Sequence, residues 1–144
     1  MIDAKHILNK VTIEANEFLC RFDLSILIVD NDYFEENRVA EIMFSLQDDF
    51  HEFPVAINFD VLYDFLFANG NENNLEEIYV QLKVSVFHEI AHGLISFFDE
   101  NDYDIPFSYD DEEVCEEFGK FFIKDYSGQN NSLLYDWMMK NIDF

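Results

Sequence analysis

The chain has 144 residues, of which 49% are hydrophobic, and 17 are phenylalanine. That length predicts a single domain over residues 1–144 that buries roughly 70% of its unfolded surface, and the apolar content excludes a disordered chain. The formal net charge is −23, from 31 acidic and 8 basic residues. It excludes direct binding to nucleic-acid phosphates and to anionic membranes, and favours cations, basic proteins or neutral ligands as partners.

Residues 3–20 predict an amphipathic helix, because Ile7, Leu8, Val11, Ala15, Phe18 and Leu19 recur at helical spacing, with Asp3 as its cap. Leu24 to Val29 is a continuous, β-branched run and predicts a buried strand, followed by a turn at Asp30 to Asp32. Val39 to Leu46 predicts a second strand, with Ile42, Phe44 and Leu46 on one face. Gln47 to Glu52 reads as a polar turn. Pro54 to Asn58 reads as a short strand whose opening proline suits a strand start or a sheet edge. Val61 to Ala68 is expected to be a short helix, and Asn69 to Asn74 a loop.

The second half is predicted to be helical. Asn74 and Glu77 form a capping-box-like start to a helix over residues 75–98. Residues 99–111 form an acidic loop around Pro106, Glu112 to Tyr126 a further helix, and Leu133 to Ile142 the last one. Helix, strands and then a helical half predict an α+β domain, with an N-terminal helix and a small mixed β-sheet packed on the helical half.

Cys20 and Cys115 stand far apart, outside any paired ligand motif, and are expected to be buried, reduced thiols. The N-terminal Met-Ile-Asp-Ala-Lys-His carries no long apolar stretch, so no signal peptide, no membrane span and a cytoplasmic location are expected. His6 and His51 have no partner at ligand spacing and read as non-ligands; Trp137, Met138 and Met139 read as packing residues of the last helix.

The segment that carries chemistry is His88-Glu89-Ile90-Ala91-His92. Four residues apart on a helix, both imidazoles project from one face, one turn apart. At that separation two ring nitrogens reach one zinc ion at about 2.0–2.1 Å, and Glu89 beside them reaches a water at an open coordination position. Chance alone produces this pattern in about 1% of shuffled chains of this composition. The flanks add weight: Val84-Ser-Val-Phe87 and Gly93-Leu-Ile95 predict a buried helix, where two histidines and a glutamate with nothing to bind are expensive.

A catalytic zinc takes a third protein ligand. Glu112 opens the next helix, one loop downstream, and Glu116 lies four residues on, on the same face, suited to hydrogen-bond the outer nitrogen of a ligating histidine. Glu113 is a rival third ligand.

His88-Glu-x-x-His92 followed by Glu112 and Glu116 resembles the gluzincin metallopeptidases, with a ligand spacing similar to that of the thermolysin-like enzymes. The run Glu112-x-x-Cys115-Glu116-x-Phe118-Gly119 looks like the third-ligand helix of the small ImmA/IrrE-type peptidases, with cysteine in place of alanine and glutamate in place of Asn or Asp. The resemblance covers residues 75–122. It implies a zincin-like domain that holds zinc through His88, His92 and Glu112, with Glu116 behind them. It also implies hydrolysis of a peptide bond with Glu89 as general base, and a strand at Val55 to Asn58 lining the cleft, whose edge pairs with an extended peptide.

An oxyanion donor is also expected, with Tyr103, Tyr109 and His51 as candidates and Tyr126 behind them. Asp99, Glu100, Asp102, Asp104, Asp110 and Asp111 read as a solvated loop, or as an acidic rim that selects basic peptides. Two further readings stand beside the peptidase. One is an acidic binding or inhibitor protein, a nucleic-acid mimic on a zincin scaffold without turnover. The other is a structural zinc site closed by Glu113 or Cys115.

Overall fold

The computed structural model describes residues 4–30, 40–42, 52–57, 75–108, 110–123 and 131–142. The expected cap at Asp3, the helix at Val61 to Ala68, the loop at Asn69 to Asn74 with its capping residue, and the candidate donors His51, Tyr109 and Tyr126 lie outside the described residues.

Helix α1 spans Ala4–Leu19. The six apolar residues at helical spacing are all buried, and they form one wall of the core. The helix tightens into a 3₁₀ turn over Cys20–Phe22, and Asp23 takes a left-handed conformation at φ 62°. Aspartate tolerates that region better than most residues. The N–H groups of Asp23 and Leu24 then donate to Cys20 and Leu19, which satisfies carbonyls that the helix end leaves open. Cys20 is exposed, not buried as expected. It lies on the turn beyond the apolar stripe, and its thiol donates to the Glu17 carbonyl at 3.1 Å.

Strand β1 covers Ser25–Asp30, β2 Ala40–Ile42 and β3 Glu52–Ile57. They form a sheet in the order β1-β3-β2, with β1 parallel and β2 antiparallel to β3. The chain therefore returns β3 into the gap between the two strands that precede it. Asn16 of α1 fixes one end of this sheet by accepting the Ile26 N–H at 2.8 Å.

Two expectations are corrected by this sheet. Glu52 belongs to a strand rather than a turn, and Pro54 is the third residue of β3 rather than its first. Over Val55–Ile57, β3 is flanked on both sides, so it offers no edge there for an added peptide strand. Pro54 is tolerated because it lies one residue outside the β2 register, where among the described residues β3 pairs only with β1.

Helix α2, Leu75–Glu100, runs 26 residues, about 39 Å at the usual rise. It is the spine of the molecule, packed by α1, by β2 and β3, and by the helix that follows. Every residue from Ile90 to Ile95 is buried. It ends where Asp102 turns left-handed at φ 66° and Tyr103 donates back to the Phe98 carbonyl.

Helix α3, Glu112–Phe121, then runs back along α2, and α4, Leu133–Asn141, packs on α3. Asp111 caps α3 by accepting the Val114 N–H, and Ser132 caps α4 by accepting the Tyr135 N–H. Glu117 of α3 also accepts the Leu133 N–H at 2.6 Å.

Helix α3 stops at Phe121, short of the expected Tyr126. Its last turn tightens as Ile123 donates to the Lys120 carbonyl, while Phe122 enters an aromatic cluster with Phe18, Phe87 and Phe118 at centroid distances of 5.0, 4.5 and 4.9 Å. Phe122 itself keeps a right-handed helical conformation. The described residues are mostly helical, and no helix among them is long and apolar enough to cross a membrane.

Candidate metal centre

The site forms where the middle of α2 meets the first two turns of α3. His88 and His92 stand one turn apart with ring centroids 5.0 Å apart and their Nε2 atoms 3.2 Å apart. Phe87, Ile90, Ala91 and Leu94, their neighbours in sequence, are buried, and His92 is 7% exposed.

From α3, Glu112 reaches both histidines. Its Oε2 lies 2.8 Å from Nε2 of His88 and its Oε1 lies 3.1 Å from Nε2 of His92. Glu116, one turn on, places Oε2 2.6 Å from Nδ1 of His88. Asp111 makes this possible by starting α3 one residue before Glu112. An aspartate followed by two glutamates is a helix-start signal legible in the sequence, and Asp111 is thus a cap rather than one more acid of the connecting loop.

The hydrogen-bond roles expose a mismatch. An ionised Glu116 only accepts, so Nδ1 of His88 donates to it. A neutral His88 then presents a lone pair at Nε2, which faces an oxygen of Glu112 and Nε2 of His92. Lone pairs aimed at one another at these distances repel. Two kinds of arrangement remove the conflict: an added proton, on His88 or on Glu112, or a cation shared by the two Nε2 atoms and Glu112.

The donor set fits the second arrangement. His88, His92 and Glu112 each offer one ligand atom, all within 4.8 Å of one another. Ligands around a tetrahedral ion with bonds of about 2.0–2.1 Å lie roughly 3.3–3.4 Å apart, so a spreading of about half an ångström at most seats one. Two imidazoles and a carboxylate are donors that could hold a metal ion, and zinc is among the ions such a set suits. The Glu112 side chain is 70% exposed, so this end of the site faces solvent.

Glu113 and Cys115 do not join the donor group, although both kinds of side chain qualify for it. Glu113 is exposed on the next face of α3. Cys115 is fully buried; its burial, and then the charges of Glu112, Glu89, Asp111 and Glu116, push its thiol well above the ordinary value. Glu89 is half-buried on α2, next to His88 in the chain.

Tyr103 is 38% exposed and leans on Phe98 and Trp137 at 5.4 and 6.2 Å. Phe98 lies six residues past His92, roughly 9 Å further along the helix axis and on another face. Asp99 and Glu100, expected in the loop, belong to the last turn of α2; they and Asp102, Asp104 and Asp110 of the connecting loop are exposed to solvent.

No family model matches this chain, and no curated protein and no solved structure shows detectable similarity to it.

Proposed function

We propose that the chain is a small zinc-dependent metallopeptidase of gluzincin type, built on an α+β, zincin-like domain. One observation carries the reading. The carboxylate of Glu112 spans both Nε2 atoms of a one-turn histidine pair while Glu116 engages the outer nitrogen of His88. That is a set of three donors with an outer carboxylate that fixes tautomer and ring orientation.

A bound zinc ion supplies a Lewis acid that polarises a carbonyl and acidifies a water. The chain's own residues do the rest. Glu116 keeps the proton of His88 on Nδ1 and so leaves Nε2 as a donor to the ion. Glu112 adds the negative charge that holds a dication against solvent exposure. Glu89, between the histidines in sequence, accepts a proton from the attacking water and returns it to the leaving amine. The substrate is a peptide or protein, and the charge of −23 favours a basic one. Two free cysteines suit a reducing, cytoplasmic setting.

The test combines metal analysis with one substitution. The full chain should hold one zinc per molecule, and Glu89→Gln should keep the zinc and lose hydrolysis of a mixed peptide library. Purified protein that takes up no stoichiometric zinc overturns the reading. Hydrolysis that survives in Glu89→Gln overturns the assigned base.

The net charge favours a second reading, an acidic binding or inhibitor protein on the same scaffold, without turnover. It predicts that zinc-loaded wild type captures a basic protein partner and leaves every peptide intact.

A further inference from the structure

A Cβ built at Gly119 lies 2.6 Å from the Val84 carbonyl oxygen, 3.2 Å from the His88 nitrogen and 3.5 Å from the Val84 carbonyl carbon. These atoms belong to one rung of α2, the helical hydrogen bond in which His88 donates to Val84. A backbone oxygen inside a buried helix cannot rotate away as a side-chain tip can. A methyl group at residue 119 therefore forces α3 back from α2 by roughly half an ångström or more.

Gly119 lies three residues after Glu116 and seven after Glu112, so the three share one face of α3. The close approach at Gly119 and the contacts of both glutamates are thus three points along one seam. At one end the seam rests on the Val84–His88 rung. At the other it delivers carboxylates 2.6 and 2.8 Å from the two ring nitrogens of His88. Functional groups must be held to about 0.5 Å for productive geometry, the same size as the shift a methyl group imposes.

We propose that Gly119 is a positioning residue of the site: the absence of its side chain sets the α2–α3 spacing that aims Glu116 and Glu112 at His88. Its metal readout rests on the proposed metal centre; its hydrogen-bond readout does not. The glycine acts through the two glutamates and touches no substrate.

The experiment compares full-length wild type, Gly119→Ala and Glu116→Gln by NMR of the histidine rings without metal, and by cobalt(II) titration. Gly119→Ala should shift the His88 ring signals in the direction that Glu116→Gln does. Its cobalt affinity should fall about 10- to 100-fold, with a visible spectrum changed from that of wild type. A variant that melts at lower temperature yet keeps the wild-type His88 signals and cobalt spectrum overturns the proposal, because the glycine is then merely structural. If wild type takes up no cobalt, the metal centre fails on its own and the ring signals alone decide about Gly119. Should the alanine variant not fold, wild type alone decides. A nuclear Overhauser contact between the Gly119 Hα protons and the His88 amide supports the seam, and its absence overturns it.

Discussion

Helix α2 meets carboxylates on two sides, and the two meetings differ in kind. Toward α1, Glu14 receives the Tyr79 hydroxyl at 2.5 and 2.6 Å and the Lys83 ammonium at 2.7 Å. Lys10 sits over the Tyr79 ring at 4.4 Å. Burial opposes the charge of Glu14, but hydrogen bonds from Lys83 and Tyr79 and the attraction of Lys83 and Lys10 outweigh it and hold the carboxyl below its ordinary value. Burial, then the hydrogen bond and charge of Glu14, push Tyr79 upward. There the carboxylate meets a hydroxyl and an ammonium directly. Toward α3, two imidazoles meet Glu112 and Glu116. Lys120 approaches Glu116 only at 3.9 Å. A closed ion pair is a clamp. On the proposed function, the carboxylates around the two histidines hold a cation from outside.

The sharpest way to break this contrast is Glu89→Gln. Hydrolysis should fall about 10²- to 10⁴-fold while zinc stays bound, as read by single-turnover kinetics beside metal analysis. Next come the α3 carboxylates. Glu112→Ala should abolish stoichiometric zinc at micromolar protein, and Glu116→Gln should weaken zinc about 10- to 100-fold, whereas Glu113→Ala leaves affinity unchanged in a chelator competition. The clamp should show the reverse pattern. Lys83→Met should cost about 1–2 kcal/mol in urea unfolding and leave zinc affinity at the wild-type value. A clamp variant that loses zinc as readily as stability erases the distinction between the two sides.

The smallest effect is the acid limb. Glu14 is lowered in the fold from an ordinary value of 4.5. Its contribution is therefore complete above 4.5 and is lost as the pH falls through the lower folded value. Acid unfolding curves of wild type and Glu14→Gln should converge below that window and separate above it. Parallel curves across the whole range exclude the linkage.

What the sequence made legible was local. The spacing of Ile7, Val11, Ala15 and Phe18 is a helical stripe, and the same arithmetic puts His88 with His92 and Glu112 with Glu116 on single faces. The caps at Asp111 and Ser132 are equally local chemistry. What escaped depends on partners distant in sequence. Nothing near Pro54 announces that β3 lies between β1 and β2. Nothing near Phe122 announces that its ring will pack on Phe18 and Phe87. The exposure of Cys20 follows from a turn that Asp23 closes. The lean of Tyr103 on Trp137 joins residues 34 positions apart, beyond any spacing rule.

Helix α3 has ten residues, fewer than the roughly 12–15 at which an isolated helix becomes even marginal in water. Its order is therefore borrowed from α2 and, through the Glu117 contact with the start of α4, shared with the C-terminal helix. A ligand held between His88, His92 and Glu112 recognises only the docked hairpin. Part of its binding free energy is thus the free energy of assembling that hairpin. Amide protons of α3 and α4 should then exchange more slowly as ligand concentration rises, while those of α1 keep their rates. The occupancy of the site is written into the local folding equilibrium of the C-terminal third of the chain.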